Sequence, residues 1–124
     1  MMNFALTEKQ RLIQQAAREF AERELAPGAQ ERDITEEFPM DILKKLGDAG
    51  LIGVQFPKEY GGQGGDYLSF VLVVEELCKV DSAFGIAYAI SSTFATGVYT
   101  FGSEEQKMHC LPRLFAGEAL GCFG

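Results

Sequence analysis

Residues 83–101 read AFGIAYAISSTFATGVYTF, and no charged side chain interrupts them. A weakly polar run of alanine, serine and threonine set between aromatic and aliphatic residues reads as a buried helix. Its small side chains at Ala87, Ala89, Ser91, Ser92, Ala95, Thr96 and Gly97 permit close approach of another surface, while Tyr88 and Phe94 supply bulk. Plain core packing and the lining of a slot for an apolar ligand are both physically sound uses of such a helix.

The segments on either side extend the helical reading. Upstream, Asp66 can cap a helix carrying Phe70, Val71, Val73, Val74, Leu77 and Cys78, apolar on more than one face and so central in a bundle. The valines admit a strand, but the length of the run and its Glu75–Lys79 end decide for helix. Asp81-Ser82 then restarts the helical pattern. Downstream, Ser103 and Gln106 form a capping box for a last helix through Met108 and Leu111, which Pro112 kinks or shortens. Leu120 to Gly124 reads as the start of an extended segment.

Nearer the N-terminus, Thr7 and Gln10 make another capping box, and Leu12, Ile13, Ala16, Ala17, Phe20 and Ala21 recur on one face. Pro27-Gly28 interrupts that helix, and the charged stretch from Gln30 to Glu37 leads to a second one with Pro39 in its first turn. Ile42, Leu43 and Leu46 point inward, and Gly50 is the stop, because glycine enters the left-handed conformation without steric cost. From Leu51 to Asp66 the period disappears, and the glycines and prolines there describe an ordered loop.

Composition narrows the function. With 124 residues and 47% hydrophobic content the chain can build one domain with a real core. A net charge of -7, with eleven basic residues that form no block, leaves out the electrostatic footprint of a nucleic-acid binder. The N-terminus lacks a basic region followed by an apolar one, and no stretch reaches the roughly 18–20 apolar residues that span a bilayer, so a soluble intracellular protein is expected. Cys78, Cys110 and Cys122 are odd in number and widely spaced, which fits thiols in a reducing compartment better than a disulfide framework or a zinc site. His109 and Cys110 are neighbours on a helix and diverge, so they make no chelate and no metal is expected.

Catalytic patterns are equally sparse. Gly61, Gly62, Gly64 and Gly65 invite a phosphate loop, yet no Gly-Lys-Ser/Thr follows, no strand precedes, and Asp66 places a negative charge where the phosphate would sit. The pairs Glu36-Glu37, Glu75-Glu76 and Glu104-Glu105 read as solvated faces, since adjacent helix residues diverge. No serine lies in a nucleophile elbow, and the single histidine has no orienting partner.

Three spaced motifs carry a resemblance. The loop FPKEYGGQG at 56–64 resembles the proline-glutamate-tyrosine-glycine-glycine loop of acyl-CoA dehydrogenases. The segments FGSEEQK at 101–107, LPRL at 111–114 and Gly117-Glu118 resemble that family's fifth-helix region, and LTEKQ at 6–10 its usual beginning, so the likeness covers practically the whole chain. The implied fold is all-α, an up-and-down bundle of about five to six helices. This would be the N-terminal domain, residues 1–124, of a subunit that continues into a middle β domain and a C-terminal helical domain.

The resemblance also implies a function: FAD-dependent α,β-dehydrogenation of an acyl-CoA thioester to a trans-2-enoyl-CoA. The family's base is a glutamate of the C-terminal domain, so no catalytic residue is assigned here. Phe123-Gly124 matches the opening of the family's flavin segment, which nominates Phe123 for cofactor contact. The family's fourth helix helps form the acyl pocket, which nominates Tyr88, Ser91, Ser92, Phe94 and Ala95 for substrate. An electron-transferring flavoprotein is the implied partner, a homotetramer the implied assembly, and the cytoplasm, or the mitochondrial matrix in a eukaryote, the implied compartment. The alternatives are a stand-alone interaction module of the same fold and an acyl-CoA oxidase. Apolar faces meant for other domains should be exposed on this chain.

Overall fold

Six α-helices follow one another in the computed structural model, which describes residues 1–124: α1 (Glu8–Phe20), α2 (Ala29–Thr35), α3 (Met40–Asp48), α4 (Tyr67–Val80), α5 (Ser82–Phe101) and α6 (Glu104–Phe115). Short polar side chains set four of the six starts. Thr7 Oγ1 accepts from the Gln10 amide at 3.2 Å while Gln10 Oε1 accepts from the Thr7 amide at 2.9 Å, and Ser103 and Gln106 repeat the exchange at α6. Asp66 and Asp81 cap α4 and α5 by accepting from the amides of Ser69 and Phe84 at 2.8 and 3.1 Å. No strand forms.

α1 lies along α4, α4 packs on α5, and α5 packs on α6. The shared core holds Ala17, Phe20, Leu25, Leu46, Val54, Leu77, Phe84 and Leu111. α1 runs on through a π-helical turn at Ala21–Leu25, which rotates Leu25 fully inward. Across the α1–α4 seam, Arg18 grips the buried Glu76 with two bonds of 3.0 and 3.1 Å.

The loop after α3 is folded under the bundle, with Leu51, Ile52, Val54, Phe56 and Tyr60 buried. One close backbone approach holds it, and another joins α3 to the turn after α6. A side chain at Gly62 would collide with the Phe56 carbonyl, and one at Gly117, whose φ is +71°, with the Leu43 carbonyl. At the same crossing a side chain at Gly47 would collide with the backbone of Ala116.

Several sequence expectations are corrected. Of the α1 stripe, Ala17, Phe20 and Ala21 are buried and Ile13 packs against the core, but Leu12 and Ala16 face solvent at its edge, and Gln10 takes an inward place. Val71 likewise points outward, and α4 buries Ser69, Leu72, Val73, Glu76 and Leu77. The charged stretch before Pro39 contains α2, a helix that buries none of its residues and therefore leaves no apolar period to read. Pro39 stands at the N-cap of α3, one place before its first turn, and α6 continues past Pro112 to Phe115. Finally, α5 is buried along one side only.

Candidate functional site

Along α5 the residues alternate between two apolar faces at helical spacing. Phe84, Gly85, Tyr88, Ser91 and Ala95 form the inner one. Ile86, Ile90, Thr93, Gly97 and Phe101 form the outer one, where Phe101 is 88% exposed. Between this outer face, the start of α6 and the C-terminal segment runs a groove of about 630 Å³, lined by Thr93, Phe94, Gly97, Val98, Phe101, Gly102, Gln106, Cys110 and Phe123. No charged side chain lines it. The space above Gly97 is open, since a Cβ there would meet nothing within 4 Å.

The nominated residues divide between the two faces. Tyr88 is 2% exposed and donates its hydroxyl to the Leu51 carbonyl at 2.9 Å, and burial pushes its ionisation upward. Ser91 Oγ accepts from the Gly121 amide at 3.0 Å, and Ala95 is buried beside it. With Ser92 these three border a small space of about 10 Å³, room for at most one water. Ser92, half-buried, accepts from Gln55 Nε2 at 2.7 Å, and Gln55 Oε1 stays buried without a partner.

Phe94 instead borders the open groove and packs on Gly121, where a Cβ would approach its ring to 2.5 Å. Phe123, 67% exposed, borders the same groove. The structure thus brings Phe94 and Phe123 together and sets Tyr88, Ser91 and Ala95 behind them. Reading the sequence missed the outer residues Ile90, Thr93 and Phe101, and named Gly97 only as a small residue that permits close approach. Their spacing was visible, but a helix apolar on both faces gives no phase until one inward residue is known.

The glycine loop has other work. The amides of Gly62, Gln63, Gly64 and Gly65 donate to the carbonyls of Pro57, Gly53, Phe56 and Val54 at 2.7–3.3 Å, so none is free to cradle an anion. The loop is tied to α6 by Tyr60, whose hydroxyl donates to Glu104 at 2.8 Å. That bond pushes the Tyr60 hydroxyl up to about 12 and, with Lys107, holds Glu104 below the usual carboxylate range. Nowhere do three or more His, Cys, Asp or Glu side chains gather as a metal cage, and all three cysteines are free. No helix is long and apolar enough to cross a membrane.

Residues 7–118 match the family model described as acyl-CoA dehydrogenase, N-terminal domain. The chain is 48% identical to the short-chain-specific acyl-CoA dehydrogenase of Clostridium acetobutylicum, over 99% of its own length and 33% of the relative's. A solved structure from work on the electron transferring flavoprotein of Acidaminococcus fermentans matches with a TM-score of 0.91 at 45% identity, covering 96% of this chain and 32% of the other. The butyryl-CoA dehydrogenase of Megasphaera elsdenii matches with a TM-score of 0.88 at 36% identity, again over 96% of this chain and 32% of the other. The chain spans about a third of the length of the relatives it matches. Its capped helices, its inward-bonded glycine loop and this agreement in sequence and fold place the chain in the acyl-CoA dehydrogenase family, as its N-terminal helical domain.

Proposed function

We propose that the chain is the helical N-terminal domain of a flavin-dependent enzyme that oxidises an acyl-CoA thioester to a trans-2-enoyl-CoA, with a middle β domain and a C-terminal helical domain completing the protein. The observation that carries this reading is the uncharged groove between α5 and α6, with Phe123 at its rim. An apolar slot edged by an aromatic ring fits the flat ring system of FAD and an acyl chain, while the phosphates of FAD and CoA need donors that this groove does not offer.

In this reading Phe123 contacts the flavin. Phe94 stands at the substrate surface, and Tyr88, Ser91, Ser92 and Ala95 form the layer behind it that keeps it in place. Thr93 and Gly97 extend the same wall. The work of these residues is to exclude water and to fix the acyl chain so that its α and β carbons present a constant geometry. Bound flavin supplies the acceptor for the β-hydrogen, and the base that removes the α-proton belongs to the C-terminal domain. An electron-transferring flavoprotein as acceptor, a homotetramer as assembly, and the cytoplasm or mitochondrial matrix as compartment complete the proposal.

The test is a visible absorption spectrum after incubation with FAD and gel filtration, on this 124-residue chain and on the full-length protein. Flavin retained by the longer protein alone, and bleached by butyryl-CoA, supports the proposal. Flavin retained by neither points to an interaction module, and a bleached flavin that regains its colour in air at the turnover rate points to an oxidase.

A further inference from the structure

We infer that the groove between α2, the turn at 36–39 and the start of α5 is a docking surface for a basic polypeptide segment that carries an apolar side chain. The groove measures about 710 Å³ and lies at the start of α5, whereas the proposed acyl site borders its second half, and the two share no residue. Its floor is apolar. Phe38 stacks on Phe84 with ring centroids 5.5 Å apart and planes 4° from parallel, and Pro39 and Val80 extend that floor. A single aromatic or aliphatic side chain would find there the contacts that anchor an interface.

The rim is acidic and uncompensated. Asp33, Glu36 and Glu37 border the groove, and none of them takes part in any ion pair. Arg32, the one base at the rim, is already committed: it bonds Asp81 at 3.0 and 3.1 Å and the carbonyls of Leu25 and Pro27 at 2.6 and 3.1 Å. Residues 31–41 carry Glu31, Asp33, Glu36, Glu37 and Asp41 against that single arginine. Between these carboxylates Ile34 is 77% exposed and Met40 44%.

Charge selects the occupant. A nucleic acid or an anionic bilayer would be repelled by this rim, and a second copy of the chain would bring a further net charge of -7. A segment with lysine or arginine on either side of one apolar residue matches both rim and floor, and its approach would be steered electrostatically. Because the rim is solvent-exposed, binding should weaken with salt as the screening length contracts to about 10 Å at 0.1 M.

The experiment is fluorescence anisotropy on the full-length protein with a labelled peptide KKLFKK, compared with EELFEE and KKSGKK. KKLFKK should bind, the other two should not, and the triple variant D33N/E36Q/E37Q should weaken binding on the order of tenfold. F38A should also weaken it, and a thermal melt on each variant shows that the fold is kept. Acyl-CoA turnover should be unchanged in all of them, which separates this inference from the proposed activity. Equal binding of EELFEE, full binding by the triple variant, or no binding of KKLFKK overturns it, the last because another part of the protein then covers the groove.

Discussion

The glycine loop and α2 lie on either side of α3 along the chain, yet they are held in opposite ways. The loop at 51–65 is fixed by backbone: its amides bond inward, its glycines touch carbonyls, and Tyr60 ties it to α6. α2 buries no residue, has left-handed residues at both ends, Gly28 at φ +79° and Glu36 at φ +59°, and is clamped through Arg32 alone. Density of backbone contact, more than helical or loop character, decides which part of this domain is rigid.

The contrast predicts a ranking of damage. G62A should be worst, near 3 kcal/mol, since the new methyl meets a carbonyl that cannot retreat. Urea unfolding measures it, and a cost below that of the α2 variants would abolish the contrast. Y88F should cost about 1–2 kcal/mol by leaving the buried Leu51 carbonyl without its donor.

Acid sharpens the same comparison at the α1–α4 seam. Arg18 and Lys79 hold Glu76 below the usual carboxylate range, and the bonds from Ser69 and Gln10 do the same for Asp66. A carboxylate depressed in the folded state contributes stability above its unfolded value, about 4, and that stability disappears as pH falls through the folded value. Urea midpoints should therefore drop below about pH 4.5. E76Q should lie below the parent at pH 7 and converge with it in acid; curves that stay parallel would remove Glu76 from the account.

R32M should cost about 1 kcal/mol globally while abolishing hydrogen-exchange protection across α2 and leaving the loop amides untouched. Loss of protection in both regions would mean that α2 braces the loop. The smallest effect is E36G, a gain of roughly 0.5 kcal/mol from relieving the left-handed backbone of Glu36, visible as a slight rise in melting temperature.

What could be read in advance follows the same physics. Both capping boxes and the Asp66 cap were legible because each uses a few adjacent residues of fixed chemistry. Gly50 was legible as a helix stop, and it is left-handed at φ +71°. α2 was not legible, since a helix that buries nothing shows no period. The groove beside α5 was only half legible: Phe94 and Phe123 were named, but the outer stripe was hidden by equal hydrophobicity on both sides of the helix. Phe38 on Phe84, and Gly47 on Ala116, depend on segments that meet only in three dimensions.

The crossing of Gly47 with the turn at Gly117 bears on kinetics. It joins the third helix to the end of the sixth with no side chain between, and the long loop it closes predicts that it forms late in folding. A contact of that kind belongs to the native side of the folding barrier. Enlarging either glycine should therefore leave the refolding rate nearly intact and show itself in how quickly the domain comes apart.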